Sequence, residues 1–270
     1  NGERKRKFID AGDAKSLGAV MYFNLAKEPE EISLAILDKD GKEIRNYSKE
    51  QMSLNYGKDD NFNTGLNKFV WDMRINRVTS VPNRPPTAIA PIVTPGKYKA
   101  KLTVDGYEET QEFEILMSPK ETYTQEQADD KFKFWMEMYN AAENSTQNVI
   151  AALKTKEDVT TKIEAFRSSG ASSGKIKKAE KQGQVISKIV TDYEGTYVST
   201  GRTLAEVINL PATILFKMSF MSGILDHSEG PVTQSMKTEF AQLLVDSKVA
   251  DEKYNADIEK ELAKLDKILK

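Results

Sequence analysis

The stretch Phe113-Glu114-Ile115-Leu116-Met117-Ser118-Pro119-Lys120-Glu121-Thr122-Tyr123-Thr124-Gln125-Glu126-Gln127-Ala128-Asp129-Asp130-Lys131-Phe132-Lys133-Phe134-Trp135 carries the change of period that decides the fold. In its first residues Phe113, Ile115 and Met117 stand against outward Glu112 and Glu114, the period of two that a half-buried strand imposes. Pro119 ends that pattern. Thr124 and Gln127 then have the spacing of a capping box, in which hydroxyl and amide reciprocally satisfy backbone N–H groups of a first helical turn. Asp129 and Asp130 sit in or near that turn, where the helix dipole favours acids. The positions Phe132, Trp135, Tyr139, Ala142, Thr146, Val149 and Leu153 come next at alternating spacings of three and four, one continuous helical stripe. A strand region therefore ends at Ser118-Pro119 and a helical region begins.

Upstream, from residue 18 to 117, the period of two dominates. Ile32, Leu34 and Ile36 alternate with Ser33, Ala35 and Leu37; Asp38-Lys39-Asp40-Gly41 turns the chain, and Ile44 and Tyr47 lie in the next strand. Gly41 is the residue suited to positive φ in that hairpin. Phe69, Trp71 and Met73 alternate with Val70 and Asp72, which puts a large aromatic load on one face. Tyr98, Ala100, Leu102 and Val104 form another face, and Asp105-Gly106 turns the chain into the strand of Phe113. Five of the nine prolines fall between Pro82 and Pro95. Such a segment is an extended connection, since proline cannot donate to a sheet ladder. Six or seven short strands with these turns predict a β-sandwich.

Downstream, Val159, Ile163 and Phe166 either extend the first helix or form a short one of their own. Ser168-Ser169-Gly170-Ala171-Ser172-Ser173-Gly174 reads as a flexible loop. Ile176, Ala179, Ile186, Val190 and Tyr193 face inward from a second helix that Gly195 and Gly201 break. Pro211 at an N1 position opens a short apolar helix through Leu225, ending before Gly230-Pro231. Met236, Phe240, Leu243, Ala250, Tyr254, Ile258, Leu262, Leu265 and Leu269 mark the last helix.

The resulting expectation is a multi-domain β + α chain. A charged linker covers 1–13, an immunoglobulin-like antiparallel β-sandwich 14–120, and an antiparallel bundle of about four helices 121–270. Phe69, Trp71, Tyr98, Leu102 and Trp135 are the expected core. Two domains also suit 270 residues, because single domains typically hold about 100–150. A formal net charge of -2 gives no electrostatic reason to expect nucleic acid. No window approaches the ~20 apolar residues that span a bilayer; the most apolar, residues 204–225, is interrupted by Glu206, Asn209, Pro211 and Lys217. The basic start Asn-Gly-Glu-Arg-Lys-Arg-Lys has no apolar run behind it and no initiator Met, so the chain is expected to be a mature or excised piece of something longer.

Candidate chemistry is sparse. The chain has no Cys, which removes disulfides, thiolate nucleophiles and Cys-based zinc sites. Its one His, His227, is flanked by Asp226 and Ser228. Neighbours along a helix point different ways, so adjacency builds no triad, and a helix C-terminus is the more natural place for it. Asp38, Asp40 and Gly41 superficially resemble a calcium loop, but Arg45 and Asn46 occupy later ligand positions and no bidentate Glu falls in place, which leaves a turn. Asp59, Asp60, Asn61 and Asn63 form a second oxygen-rich cluster with ordinary turn preferences. Phe132, Phe134, Trp135 and Tyr139 read either as a sugar-stacking platform or, given their helical spacing, as core. The neighbouring acids Asp129/Asp130 and Glu108/Glu109 are not thereby opposed across a cleft, as glycoside hydrolysis requires. The run Lys175–Lys181, interleaved with Ile176 and Ala179, is a solvated helix face. No Gly-rich phosphate loop or nucleophile elbow is present.

Two stretches carry a resemblance. Gly65-Leu66-Asn67-Lys68-Phe69-Val70-Trp71-Asp72-Met73-Arg74, and Thr94-Pro95-Gly96-Lys97-Tyr98 on to Val104-Asp105-Gly106, resemble in that order the C-terminal region of bacterial BNR-repeat, sortilin-like proteins often labelled glycosyl hydrolases. Residues 18–23 and the hairpin 36–42 are similar to that region too, and Ser118-Pro119-Lys120 departs from the family's usual Asp-Pro-Arg. The resemblance covers about residues 15–120. It implies that a β-propeller precedes this region and would hold any hydrolytic or ligand site; no Asp-box repeat occurs in this chain. The expected function is a non-catalytic docking or assembly module of an exported protein, with no catalytic, metal or cofactor residues and no cofactor. Its expected partner is the upstream propeller or another protein. The alternative is a carbohydrate- or protein-binding module that uses the Pro-rich loop 82–95.

Overall fold

The structure is a computed structural model that describes residues 16–53, 62, 64–85, 89–120, 122–199, 211–228 and 230–270. The expected linker 1–13, the cluster Asp59, Asp60, Asn61 and Asn63, and Gly201 lie outside the described residues. The chain divides into two compact units: Asn1–Ile75 with Pro95–Leu116, and Asn76–Thr94 with Met117–Lys270. The described residues hold two antiparallel sheets and five helices, the mixed β and α content expected.

In the first unit, β1 (Ala19–Leu25) pairs with β4 (Gly65–Trp71) as a two-stranded sheet. β2 (Ile32–Leu37), β3 (Glu43–Tyr47), β5 (Gly96–Val104) and β6 (Tyr107–Ile115) form the other sheet, in the order β3-β2-β5-β6. Helix α1 (Lys49–Ser53) comes after β3. The turn after β2 forms as its residues dictate: Gly41 has φ of 83°, and Asp38 Oδ1 accepts from the N–H groups of Asp40 and Lys42. Aromatic rings link the sheets. Trp71 meets Tyr98 and Phe113 edge-on at 5.9 and 6.0 Å, and Tyr47 meets Phe69 at 4.9 Å.

Three sequence expectations change here, the first being that β6 stops at Ile115, short of Met117. Met73 is not in the strand; β4 stops at Trp71 and Met73 takes φ of 59° in a turn. That turn is held by the Trp71 indole N–H donating to the Arg74 carbonyl at 2.9 Å and by Asp72 Oδ1 accepting from Arg74 N. Phe69, Trp71 and Tyr98 are buried, but Leu102 is only half-buried. It lies opposite Glu109 on β6, an edge strand exposed from Tyr107 through Glu112 whose acids discourage further pairing.

Burial of Tyr47 pushes its phenol up to about 12; the cationic Arg45 opposes this and the Asp72 carboxylate reinforces it. A raised folded-state value means that the neutral phenol's contribution is intact below about pH 10 and is lost as pH rises through about 12. Stability measured by denaturant titration should fall across that window by up to about 1.4 kcal/mol per pH unit from this group, and Tyr47→Phe should flatten the slope.

In the second unit, the helices among the described residues are α2 (Gln125–Ser168), α3 (Ser173–Tyr197), α4 (Ile214–His227) and α5 (Gln234–Leu269). The capping box forms: Thr124 Oγ1 accepts from Gln127 N, and Gln127 Oε1 from Thr124 N. Val159, Ile163 and Phe166 extend α2 rather than starting a new helix, so it runs 44 residues, about 66 Å. The expected loop contracts to Ser169–Ser172, and α3 runs through Gly195 to Tyr197. Pro211 is not at N1; Thr213 is the N-cap of α4.

Pairwise interactions fix the directions. Arg167 pairs with Glu180 and Lys156 with Thr191, so α3 is antiparallel to α2. Lys131 reaches Ser228 and Trp135 reaches Ser222, so α4 is antiparallel to α2 as well, further along it. Phe134 meets Phe240, and Asn148 meets Asp251, so α5 runs parallel to α2. The helices therefore make three columns. Two are α2 and α5, side by side and parallel, and the third is α3 and α4 in succession. Simple up-and-down alternation of four helices fails because α3 and α4 are each too short to line the whole of α2.

Gly183 faces Ile163 of α2: a Cβ there would lie 2.5 Å from Ile163 Cδ1, the free end of a side chain that can turn aside. Gly183→Ala should therefore change stability by no more than about 1 kcal/mol, because alanine's better helix propensity offsets the displacement of that methyl. In an Ile163→Val background, where the methyl is absent, the same change should stabilise by about 0.5–1 kcal/mol, read by thermal denaturation.

Candidate functional site

Several of the residues singled out for chemistry are engaged in local structure. His227 Nδ1 donates to the Gly223 carbonyl at 2.8 Å, closing the last turn of α4. Trp135 is buried, with its indole N–H on Ser222 Oγ at 2.8 Å, and Phe134 stacks edge-on against Phe240; neither is an exposed platform. Glu108 pairs with Lys101, and Asp129 accepts from Gln125. Among the described residues no group of three or more His, Asp and Glu is placed to hold a metal ion. No helix among them is long and apolar enough to cross a membrane.

The Pro-rich connection reads in sequence as a loop of the sandwich, yet it groups with the helices. Val78, Val81 and Ile89 are buried in the helical core. The strap 76–94 is tied down at two levels. Thr79 donates through N and Oγ1 to the two oxygens of Glu143 on α2, each at 2.7 Å. Burial opposes ionisation of Glu143, but hydrogen bonds from Gln147 and Thr79 prevail and hold its carboxyl below the usual range. Arg84 Nε donates to Glu194 Oε1 at 2.7 Å, and Nη2 pairs with the same oxygen. Glu194 keeps only 6% of its side chain exposed and Arg84 26%, so this is a largely buried ion pair. Beside it opens a cleft of about 490 Å³ lined by Pro82, Arg84, Ile150, Leu153, Lys154 and Glu194, among others.

A second polar cluster lies where α3 ends. Tyr193 and Tyr197 both donate to Asp251 Oδ1, at 2.6 and 2.5 Å, while Asn148 donates to Oδ2. Having one proton, the Tyr197 hydroxyl gives it to the carboxylate and accepts from Ser247 Oγ at 2.9 Å. Burial first, then the bond to Asp251, push both phenols well above their ordinary range. Each donor has an acceptor here, so the cluster serves to fix the register of α2, α3 and α5.

The third feature is an apolar ridge. Phe216, Phe220 and Ile224 recur every four residues on α4 and remain 54%, 65% and 46% exposed, while Leu215, Met218, Met221 and Leu225 fill its inner side. A helix apolar on both faces was the available sequence signal. Arg84 and Glu194 gave none, being 110 residues apart with ordinary neighbours. Tyr193/Tyr197 and Ser247/Asp251 were legible as i, i+4 polar pairs on otherwise apolar helices. No family model, no curated protein and no solved structure matches the chain.

Proposed function

We propose that the chain is a non-catalytic interaction module of an exported bacterial protein, an immunoglobulin-like β-sandwich joined to a helical bundle, that docks a propeller-bearing protein. The observation that carries the reading is the Phe216–Phe220–Ile224 ridge, because large exposed apolar side chains in line on one helix mark interaction surfaces. Gly223 adds to it: a glycine inside a helix costs about 1 kcal/mol relative to alanine, and nothing lies within 4 Å of where its Cβ would be, so the chain's own packing does not demand it. The motif pair 65–74 and 94–106 supplies the class of partner. The joint substitution Phe216→Asp and Phe220→Asp should leave the melting temperature nearly unchanged and abolish co-purification of an identified Asp-box propeller protein. Unchanged co-purification would sink the ridge. Glycosidase or peptidase turnover by the purified chain, abolished by one substitution, would sink the non-catalytic reading.

A second reading is favoured by the cleft beside Pro82–Arg84: binding of a carbohydrate or protein group through the Pro-rich strap.

A further inference from the structure

The cleft between the strap and helices α2 and α3 has a specific chemistry. Both bonds of the Arg84 guanidinium go to one oxygen of Glu194. Among the described residues nothing bonds Glu194 Oε2 or Arg84 Nη1, although Glu194 is more than nine-tenths buried and lines the cleft. The lining thus offers a carboxylate acceptor on Glu194 and a guanidinium donor on Arg84. A bare anion suits such a lining poorly, since the carboxylate repels it, and an apolar molecule would leave both groups unsatisfied. Two neighbouring hydroxyls suit it well: one O–H donates to Oε2 while the adjacent oxygen accepts from Nη1.

The walls add two requirements. Ile150, Leu153 and Pro82 offer an apolar surface for the C–H face of a ring. At the rim, Lys156 is engaged with Thr191 Oγ1, whereas no carboxylate among the described residues pairs with Lys154. Among the described residues, the charged ones that line the cleft are three cations, Arg84, Lys154 and Lys156, against two carboxylates, Glu157 and Glu194. A volume of about 490 Å³ falls within the ~300–1,000 Å³ of small-molecule sites. The strap wall is held in place in advance by Thr79 on Glu143 and by the buried Val78, Val81 and Ile89.

We infer that this cleft binds a sugar acid, a hexuronate whose neighbouring hydroxyls engage Glu194 and Arg84 and whose carboxylate faces Lys154. This rests on the second reading above and names its ligand class; it is independent of the ridge on α4.

Calorimetric titration of the full chain with glucuronate, galacturonate and glucose tests it. Saturable binding of at least one uronate is expected, with glucose weaker by about tenfold. Lys154→Glu, an exposed change that leaves folding intact, should weaken the uronate by about tenfold and leave glucose unaltered. Leu153→Trp, which fills the apolar wall, should abolish both. Equal binding of glucose and uronates, indifferent to Lys154→Glu, overturns the sugar-acid assignment while leaving the strap as a carbohydrate site. Absence of saturable binding by all three sugars overturns the assignment and carbohydrate binding together. Binding that persists in Leu153→Trp places the sugar elsewhere and overturns the cleft.

Discussion

Arg84→Ala is expected to destabilise the helical unit by about 3 kcal/mol, the lower end of the range for removing one member of a buried ion pair. The stranded carboxylate accounts for more of this than the two broken hydrogen bonds. Glu194 stays nine-tenths buried at the end of α3 with its charge uncompensated, and the strap loses its second anchor. Arg84 retains a quarter of its side-chain exposure, so water enters the vacated space and keeps the loss from the upper end of the range. Chemical denaturation monitored by helical circular dichroism reads the change. Arg84→Met combined with Glu194→Leu should restore most of the stability, because no charge is then stranded. A loss below about 1 kcal/mol in the single variant would show the pair behaving as an exposed one.

Trp71→Ala should cost the β unit about 3–5 kcal/mol. Its indole is fully buried at the point where β4 meets Tyr98 and Phe113, and its N–H holds the turn that ends the strand. The substitution therefore opens a cavity and orphans the Arg74 carbonyl at once. The chain has only two tryptophans, so Trp135 becomes the sole tryptophan reporter and sits in the other unit. Aromatic circular dichroism of the variant should show the β unit melting earlier, while Trp135 fluorescence still reports a cooperative helical melt. Trp71→Phe, which keeps ring packing but not the hydrogen bond, should cost less.

The features legible in the sequence are the periodic ones. The change at Ser118-Pro119, the two hairpins at Gly41 and Gly106, the capping box and the inward faces of α2, α3 and α5 all rest on local patterns, which the chain carries wherever it folds. The strap escapes that reading for the converse reason. Val78, Val81 and Ile89 are buried, yet Pro82, Pro85 and Pro86 fall between Val81 and Ile89 and no helix or strand period runs through all three, so composition suggests an exposed loop. Leu102 is overestimated because alternation shows which face a residue occupies but not whether anything covers that face. The serial arrangement of α3 and α4 is hidden because sequence leaves helix lengths uncertain at both ends. Only pairings such as Lys131 with Ser228 reveal which stretch of α2 each helix lines. The Arg84–Glu194 pair joins distant residues that are each unremarkable in their local setting.

The strap also bears on where this chain can be cut. Compact-unit membership changes three times along the sequence, after Ile75, after Thr94 and after Leu116. A recombination or truncation at Ser118-Pro119, where the period changes, would hand the helical portion on without Val78, Val81 and Ile89 and without the counter-ion of Glu194. The β portion would leave with a tether of sticky apolar residues stripped of their socket. The two halves are consequently expected to be inherited and expressed as one piece, and split-protein complementation at that position should work only when both fragments are supplied together.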